Sequence, residues 1–219
     1  MFTSLILGAG KSTRMKANKS KLLFNIAGKP VINHIISSLK EAKAKDNLCV
    51  INKNSGEIKK ILDSEKVSHV YQTVLNGTAG AVKAALKKKP VSNNKLLILC
   101  GDIPFIKSTS IKRIINKLKT YDAVVGTVEI DSPKGYGRII RDNNKFKSII
   151  EEKETTAVQR QIKEVNTGII AIHEKVLREY ISQIKNNNQK KEYYLTDIIK
   201  ILVDNNKKVS TFKFMDELE

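Results

Sequence analysis

TSLILGAGKST, residues 3–13, joins a short apolar run to a glycine-rich loop, and this junction is the first unit of the pattern that decides the fold. The loop ends in the Gly-Lys-Ser-Thr letters of a Walker A motif, but that motif requires glycine at the position of Leu5. A dinucleotide-binding fingerprint fails as well, because Thr13 stands where its third glycine is needed. The stretch therefore predicts a strand followed by a tight loop that belongs to neither motif.

The same alternation of apolar runs and amphipathic segments continues through the first half of the chain. Strand candidates are SLILG, LCVIN, VSHVY and LLILCGD, and helix candidates are VINHIISSLKEA, SGEIKKILD, TAGAVKAALKKK and SIKRIINKLK. Apolar strands separated by such helices predict a parallel sheet that is covered on both faces. We therefore predict a doubly wound, Rossmann-like α/β domain, whose ligands bind beyond the carboxyl ends of the strands.

The second half has a different pattern, with strands linked by turns. Strand candidates are AVVGTVEI, GRIIRD, FKSIIEE, VNTGIIAI and VSTFKF, and DNNK suits a hairpin turn. We expect antiparallel strands here, so that the mostly parallel sheet is mixed. The polar segment ETTAVQRQIKE suits an exposed loop or a short helix, and a helix is predicted over YYLTDIIKILVDN. One domain with a substrate-binding lobe is the simplest organisation.

The composition is that of a globular protein with a large excess of lysine. The 219 residues are 41% hydrophobic and carry a formal net charge of +18. Such a charge suggests a nucleic-acid partner, but the lysines are spread along the whole chain and accompany much asparagine and isoleucine. The run Lys87–Lys89 suits a helix end, where positive charge complements the helix dipole. We therefore expect no nucleic-acid partner.

Membrane and metal–thiol chemistry are not expected either. No apolar segment approaches the roughly 20 residues that cross a bilayer, and the N-terminus lacks a signal sequence, so we expect a cytoplasmic protein. Cys49 and Cys100 end apolar runs without a Cys-x-x-Cys or Cys/His cluster, which favours structural thiols. His34, His69 and His173 are scattered and suit packing rather than metal binding.

The first loop continues as GAGKSTRMKANKSKLL and brings several cations to the end of the first strand. Gly8 and Gly10 allow tight backbone turns near a ligand, and Lys11, Arg14 and Lys21 supply positive charge. Such a loop can hold a triphosphate without being a Walker loop. A solvated basic loop is the alternative interpretation.

A second candidate element, LLILCGDIPF, places a carboxylate directly after a buried strand. Gly101 leaves room for a ligand beside Asp102, and Pro104 fixes the next turn. A carboxylate at this point can hold Mg²⁺, which binds through one or two carboxylates and substrate phosphates. Alternatively, Asp102 only caps a helix that begins near Ser108.

Nine motifs along the chain resemble one known family. In order they are LGAGKSTRM, SKLL, IAGKPVINHII, VYQTVLNGTAGAV, CGDIP, GYGRIIRD, IIEEK, QRQIKEVNTGI and EYYLTDII. The chain resembles the N-terminal uridyltransferase domain of the bacterial bifunctional N-acetylglucosamine-1-phosphate uridyltransferase/glucosamine-1-phosphate acetyltransferase. The resemblance covers nearly the whole chain. It implies a single nucleotidyltransferase domain over 1–219, with a nucleotide-binding part at about 1–125 and a sugar-binding part at about 126–219.

The resemblance also implies a reaction and the residues that serve it. UTP and N-acetylglucosamine 1-phosphate would give UDP-N-acetylglucosamine, a peptidoglycan precursor, and pyrophosphate. The implied catalytic residues are Arg14, Lys21 and Asp102, with Asp102 as the ligand of a Mg²⁺ cofactor. The implied nucleotide contacts are Leu7, Gly8, Ala9, Gly10, Lys11, Gln72, Gly77, Thr78, Cys100 and Gly101. The implied sugar contacts are Gly137, Glu151 and Asn166.

The chain departs from the family pattern at several positions. Gly8 replaces a usual alanine, Ser12 a usual glycine, and Ser20 the proline that precedes the catalytic lysine. The family pattern continues past the last strand to an asparagine that contacts a second magnesium, and then to the acetyltransferase β-helix. This sequence stops at FKFMDELE, so we expect neither that contact nor the usual basis for trimer formation.

Two alternatives to this function stay open. A nucleotidyltransferase with another sugar phosphate or nucleotide would share the fold and the phosphate chemistry. A catalytically weak domain that only binds nucleotide sugars is the second alternative. The sequence provides no Ser/His/Asp grouping, which fits a reaction whose nucleophile is already an anion.

Overall fold

The sheet is the central feature of the protein. The computed structural model describes residues 1–10, 20–88, 94–217 and 219. Within these ranges the chain forms one nine-stranded mixed sheet with helices on both faces, and a separate two-stranded ribbon. The predicted doubly wound α/β fold with a mostly parallel central sheet is confirmed.

The elements follow the chain order that the apolar pattern predicts. The strands are β1 Thr3–Leu7, β2 Asn25–Ile26, β3 Lys29–Pro30, β4 Asp46–Ile51, β5 Ser68–Tyr71, β6 Lys95–Cys100, β7 Ala123–Glu129, β8 Arg138–Asp142, β9 Lys145–Ile150, β10 Glu164–His173 and β11 Val209–Lys213. The helices are α1 Val31–Glu41, α2 Gly56–Ser64, α3 Thr78–Lys88, α4 Ser108–Lys117, α5 Glu174–Tyr180 and α6 Asp197–Asp204. No helix in the described ranges combines the length and the apolar character that a membrane crossing requires.

The strand order places sequence-distant strands side by side. It runs β11-β7-β10-β6-β1-β4-β5, and β6, β1, β4 and β5 are mutually parallel. Strand β10 enters antiparallel between β6 and β7, and the β8–β9 hairpin joins β10 through Val165 and Arg138. Asn143 and Asn144 make the hairpin turn with positive φ, which asparagine tolerates well. The predicted mixed second half is therefore confirmed.

Helices pack on both faces because their apolar residues recur at helical spacing. On one face, Ile32, Ile35 and Leu39 of α1 are fully buried together with residues of α2 and α4. On the other face, Ile198 and Leu202 of α6 pack with residues of α3 and α5. These two layers bury the sheet strands from both sides, which explains why those strands are continuous apolar runs.

Two elements differ from the sequence prediction. Helix α6 begins at Asp197 rather than at Tyr193, because the backbone at Tyr193 bonds to residues 76 and 79 instead of starting the helix. Helix α5 follows β10 directly and was not predicted, although Glu174 and Arg178 form an i,i+4 ion pair at 2.7 Å in it. The segment ETTAVQRQIKE contains one short 3₁₀ turn, Gln159–Gln161, and a second, Glu152–Glu154, ends at its first residue, as its polar pattern allows.

Candidate active site

The carboxyl ends of β1 and β6 lie side by side and carry the two predicted elements. Leu7 pairs with Cys100, and the Gly101 N–H donates to the Leu7 carbonyl oxygen at 3.0 Å. On the other side of β1, the Gly8 N–H donates to Val50 O at 2.8 Å. The loop that starts at Gly8 and the turn at Gly101 are therefore neighbours at one edge of the sheet.

Lys21 and Asp102 meet at this edge as an ion pair. Lys21 begins a 3₁₀ turn whose next residues, Leu22 and Leu23, are buried in the core and fix its position. Gly101 packs against Leu22, since a Cβ there would lie 2.6 Å from Leu22 Cδ2, so this side chain takes the space that was expected for a ligand. The side chains of Lys21 and Asp102 remain 29% and 41% exposed, so a ligand can reach both charges.

The geometry at this edge of the sheet distinguishes between the alternative interpretations of Asp102 and of Lys21. Helix α4 begins at Ser108 with Lys107 as its N-cap residue, so the interpretation of Asp102 as the cap of that helix is wrong. The ion pair of Lys21 also argues against a merely solvated loop at that lysine. Lys11 and Arg14 lie outside the described residues, and their roles stay predictions. Ala9 is buried and Gly10 is exposed next to them.

Gln72 follows β5, two strands away from β1 at the same edge of the sheet. Its N–H donates to Ile51 O at 2.9 Å, and its side chain is nearly buried. The side-chain Nε2 donates to Gly77 O at 3.1 Å and to Asn76 Oδ1 at 3.4 Å. Thr78 is the first residue of α3. The three predicted base contacts, Gln72, Gly77 and Thr78, thus belong to one continuous loop.

A distant segment, 193–195, is hydrogen-bonded along this loop. The Tyr193 N–H donates to Asn76 O at 2.8 Å, and Tyr193 O accepts from the Ala79 N–H at 2.9 Å. The Leu195 N–H donates to Thr78 Oγ1 at 2.8 Å. Gly77 has a φ of +107°, and a Cβ on it would lie 2.5 Å from Tyr193 O, so only glycine fits. Segment 193–195 therefore directly supports the loop at 72–78, which contains the predicted base contacts and is called the base loop below.

The predicted sugar contacts also come together. The Asn166 N–H donates to Gly137 O at 2.8 Å, and a Cβ on Gly137 would lie 3.7 Å from Glu151 Cδ. Asn166 Oδ1 accepts from the Gly168 N–H at 3.1 Å. A Cβ on Gly168 would lie 2.9 Å from Cys100 Sγ. The sugar-side residues thus border the end of β6 that carries Asp102.

Cys100 marks the junction between the two groups. The pKa of its thiol is raised to about 12, mainly by burial; the charges of Asp102 and Glu151 act in the same direction and that of Lys21 in the opposite one. Carboxylates from the predicted nucleotide contacts and from the predicted sugar contacts therefore act on the same sulfur atom. A thiol with this pKa stays protonated at neutral pH and is not a nucleophile. The expectation of a structural thiol fits this environment.

Sequence reasoning missed the residues around Glu151. Thr196 Oγ1 donates to Glu151 Oε1 at 2.8 Å. Burial raises the pKa of Asp197 to about 6, and the charges of Glu151 and Glu154 contribute in the same direction. Burial also raises the pKa of Tyr194 to about 12, with further contributions from nearby carboxylates. These residues belong to the EYYLTDII motif, but the sequence predicted only a helix there and no site residues.

The raised pKa of Asp197 gives stability a pH dependence. The folded state binds this proton more tightly than the unfolded state does, with a pKa of about 6 against 3.8. Burial of this carboxyl therefore does not lower the unfolding free energy below about pH 3.8, and it lowers that free energy by the full amount above about pH 6. We expect Asp197→Asn to raise the unfolding free energy by about 1–2 kcal/mol at neutral pH, discounted for partial exposure. Urea unfolding from about pH 4 to about pH 8 measures this.

The control is Asp204→Asn at the other end of the same helix. Asp204 is exposed and pairs with Lys200 at 2.5 Å, so its removal changes stability little. An Asp197→Asn advantage that does not grow with rising pH would contradict the assignment.

Arg138 is a second feature that the sequence did not predict. Its side chain is 2% exposed and pairs with Glu152 Oε2 at 2.8 Å. The same guanidinium donates to Tyr136 O and, at 3.3 Å, to Arg160 O. Burial alone would raise the pKa of Glu152, but hydrogen bonds from the Gly135 backbone and Arg138 hold it below its usual value. Arg138 thus ties together the loops that flank Gly137 and Glu151.

We expect Arg138→Met to lower the unfolding free energy by about 2–3 kcal/mol. The methionine keeps the packing volume but removes the guanidinium that pairs with the Glu152 carboxylate and donates to two carbonyl oxygens. Lys147→Met is the matched control, because Lys147 pairs with Asp142 on the surface and its loss costs about 0.5 kcal/mol or less. Denaturant unfolding of both variants measures the difference in unfolding free energy. Equal stability of the two would show that the Arg138–Glu152 pair contributes nothing to stability.

The donor set can be compared with what a metal needs. No group of three or more His, Cys, Asp or Glu side chains suited to a metal occurs in the part of the chain that the structure describes. His34 and His173 bond to backbone carbonyl oxygens, as packing residues do. The partly exposed carboxylate of Asp102 remains. This single hard oxygen donor fits Mg²⁺, which takes its other ligands from water and substrate phosphates.

Comparison with known families gives a match over most of the chain. The sequence model of the MobA-like NTP transferase domain matches residues 4–166. The chain is 39% identical over 197 residues, 89% of its length, to the N-terminal region of the bifunctional protein GlmU of Francisella tularensis subsp. novicida strain U112. The same figures hold for GlmU of Francisella tularensis subsp. tularensis strain SCHU S4. The chain spans 43% of the length of these relatives.

Solved structures support the fold. A UDP-glucose pyrophosphorylase complexed with UDP-glucose superposes with a TM-score of 0.80 at 17% identity, covering 98% of this chain and 90% of that one. An apo structure of UDP-glucose pyrophosphorylase superposes with a TM-score of 0.78 at 16% identity, covering 98% of this chain and 91% of that one. At these identities the likeness concerns the fold alone.

Proposed function

This chain belongs to the family of MobA-like NTP transferase domains, and we propose that it transfers uridylyl groups to a sugar phosphate. The proposed substrates are UTP and N-acetylglucosamine 1-phosphate, and the products are UDP-N-acetylglucosamine and pyrophosphate. The part at about 1–125 binds the nucleotide and the part at about 126–219 binds the sugar. A cytoplasmic location and a place in cell-wall precursor synthesis accompany this proposal.

The observation that carries the proposal is the 39% identity to GlmU over 89% of the chain. The site geometry is compatible with it. The Lys21–Asp102 pair stands at the carboxyl edge of the sheet, between the base loop at Gln72 and the sugar-side group at Asn166. A site with a lysine and an aspartate in the middle and hydrogen-bonding groups on either side suits a substrate with phosphates between a base and a sugar.

The residues of the chain divide into three tasks in this proposal. The backbone from Leu7 to Gly10 and at Cys100 and Gly101 lines the nucleotide, with Lys11 and Arg14 at its phosphates. Gln72, Gly77 and Thr78 contact uracil through the loop that segment 193–195 supports. Gly137, Glu151 and Asn166 bind the hydroxyl and acetamido groups of the sugar.

The chemistry is a displacement between two anions. A phosphate oxygen of the sugar phosphate attacks the α-phosphorus of UTP, a new P–O bond forms, and the bond to the bridging oxygen of pyrophosphate breaks. Neither an enzyme-bound intermediate nor a general base is needed, because the nucleophile is already ionised. Catalysis therefore consists of alignment and of neutralising charge.

Lys21 and Asp102 have the main electrostatic tasks. The Lys21 ammonium stabilises the negative charge that develops during the attack. Asp102 would hold Mg²⁺, which when bound neutralises phosphate oxygens and polarises the α-phosphorus. The two side chains form an ion pair. In the proposed reaction the Lys21 ammonium faces the phosphates, whereas the Asp102 carboxylate would face Mg²⁺.

A substrate matrix tests the proposal. Pyrophosphate release is measured with Mg²⁺ for UTP, dTTP and CTP, each combined with N-acetylglucosamine 1-phosphate or glucose 1-phosphate. The highest kcat/KM is expected for UTP with N-acetylglucosamine 1-phosphate. A better pair would replace the substrate assignment, and no turnover with any pair would refute the proposed activity.

A further inference from the structure

The side-chain amide of Gln72 is fixed in one orientation. Its Nε2 donates to Gly77 O at 3.1 Å and to Asn76 Oδ1 at 3.4 Å. A backbone carbonyl only accepts hydrogen bonds, so the nitrogen end of the amide must face Gly77. If the amide turned over, its oxygen would meet two acceptors. Both N–H groups of the Gln72 side-chain amide therefore donate hydrogen bonds within the loop.

The oxygen of the same amide is left for a ligand. Among the described residues, no hydrogen bond reaches Gln72 Oε1. The residue is only 6% exposed and is tied by its backbone to Ile51 at the edge of the sheet. A nearly buried, fixed amide with one unused acceptor favours a ligand that offers an N–H group.

The backbone of Asn76 is held by a hydrogen bond, and its side chain lies over Gly80. Its carbonyl oxygen accepts from the Tyr193 N–H at 2.8 Å, which anchors its backbone to segment 193–195. Its side chain occupies space that a Cβ on Gly80 would overlap, and the same Cβ would lie 3.2 Å from Gln72 Nε2. The absence of a side chain at Gly80 therefore permits the contact between Asn76 and Gln72.

We propose that Asn76 is a positioning residue that presents only the oxygen of the Gln72 amide to the nucleotide base. This inference rests on the proposed function, in which Gln72 contacts the base. Uracil and thymine carry an N–H at ring position 3, whereas the same nitrogen in cytosine is an acceptor. An acceptor facing an acceptor leaves both unpaired, so the fixed amide rejects CTP. Without Asn76 the Gly77 carbonyl oxygen alone holds the amide, so the amide rotates more easily and can pair with either base.

The test compares UTP and CTP in three variants. Asn76→Ala removes the acceptor, and we expect the UTP:CTP ratio of kcat/KM to fall about tenfold, mostly through KM for UTP. Asn76→Asp keeps an acceptor and is expected to retain the ratio of the wild-type protein. Val74→Ala, at a position 66% exposed in the same loop, is the matched control. The KM for the sugar phosphate should stay within about twofold in all of them, since no sugar contact changes.

Gly80→Ala probes the same contact without changing Asn76 or Gln72. Its added methyl group must displace the Asn76 side chain, so it is expected to lower the UTP:CTP ratio as Asn76→Ala does. The double variant Asn76→Ala with Gly80→Ala should be no worse than either single variant, because both remove one interaction. This non-additivity separates a positioning role from general damage to the loop, and it remains measurable if one single variant folds poorly.

Equilibrium binding of UTP and CTP by calorimetry gives the same ratio without turnover. A preference for UTP that is lost in Asn76→Ala and retained in Asn76→Asp supports the inference. An unchanged preference in folded Asn76→Ala overturns it while leaving the proposed function intact. Failure of the wild-type protein to prefer UTP over CTP in binding overturns the inference directly, whereas failure of turnover alone counts against the proposed activity.

Discussion

Lys21→Ala is expected to lower kcat about 10²–10³-fold with little effect on KM for either substrate. The ammonium acts mainly on charge that develops during the attack, so its loss affects the transition state more than the bound substrates. Initial rates of pyrophosphate release at saturating substrates measure the effect. The fold should survive, because both members of the Lys21–Asp102 pair are partly exposed and such pairs contribute about 1 kcal/mol or less.

Lys29→Ala is the control for this variant. Lys29 is an exposed lysine that lies only eight positions later, in β3, and its removal lowers the net charge by the same amount. It is expected to retain wild-type kcat. If Lys21→Ala also retained it, Lys21 would have no role in the chemistry, and the site would depend on the cations at Lys11 and Arg14.

Asp102→Asn is expected to lower kcat/KM about 10²–10³-fold. Asparagine keeps the shape of the side chain and one oxygen but loses the charge that attracts Mg²⁺. Raising the Mg²⁺ concentration should therefore restore part of the activity of this variant and none of the activity of Lys21→Ala. Titration of activity against Mg²⁺ for both variants provides the comparison.

Asp131→Asn serves as the control for Asp102→Asn. Its carboxylate is 93% exposed and pairs with Lys163 on the surface, so neither activity nor the Mg²⁺ dependence should change. Wild-type activity of Asp102→Asn at every Mg²⁺ concentration would exclude Asp102 as a metal ligand. Loss of activity that no Mg²⁺ concentration relieves would assign Asp102 a role other than metal binding.

Much of the fold was predictable because burial on both faces leaves a simple pattern. The run Leu96–Leu99 is apolar at every position since β6 is central, and the helices α1 and α4 show their buried residues at helical spacing. The start of α6 was not predictable in this way. Its position depends on hydrogen bonds from Tyr193 to residues more than a hundred positions earlier, and local pattern carries no such information.

The candidate site was predictable where it depends on loops that follow strands. Gly8 and Asp102 follow β1 and β6, so the adjacency of these strands brings the loops together. The burial of Arg138 was not predictable, because a basic residue at the start of a strand is ordinarily exposed. Only the fold supplies Glu152 and the carbonyl oxygens that its guanidinium contacts. The neighbourhood of Gly168 and Cys100 likewise comes from the antiparallel register of β10.

Strand β10 has a further consequence during synthesis on the ribosome. Because it lies between β6 and β7, the first hundred residues emerge with the apolar strand β6 as an open edge, and β7 cannot close it. That edge waits for residues 164–173, a delay of roughly several seconds at ordinary translation rates. During this time the unpaired backbone groups of β6 are open to other chains. The nascent protein is therefore most vulnerable to aggregation after its first hundred residues are made and before its sheet is complete.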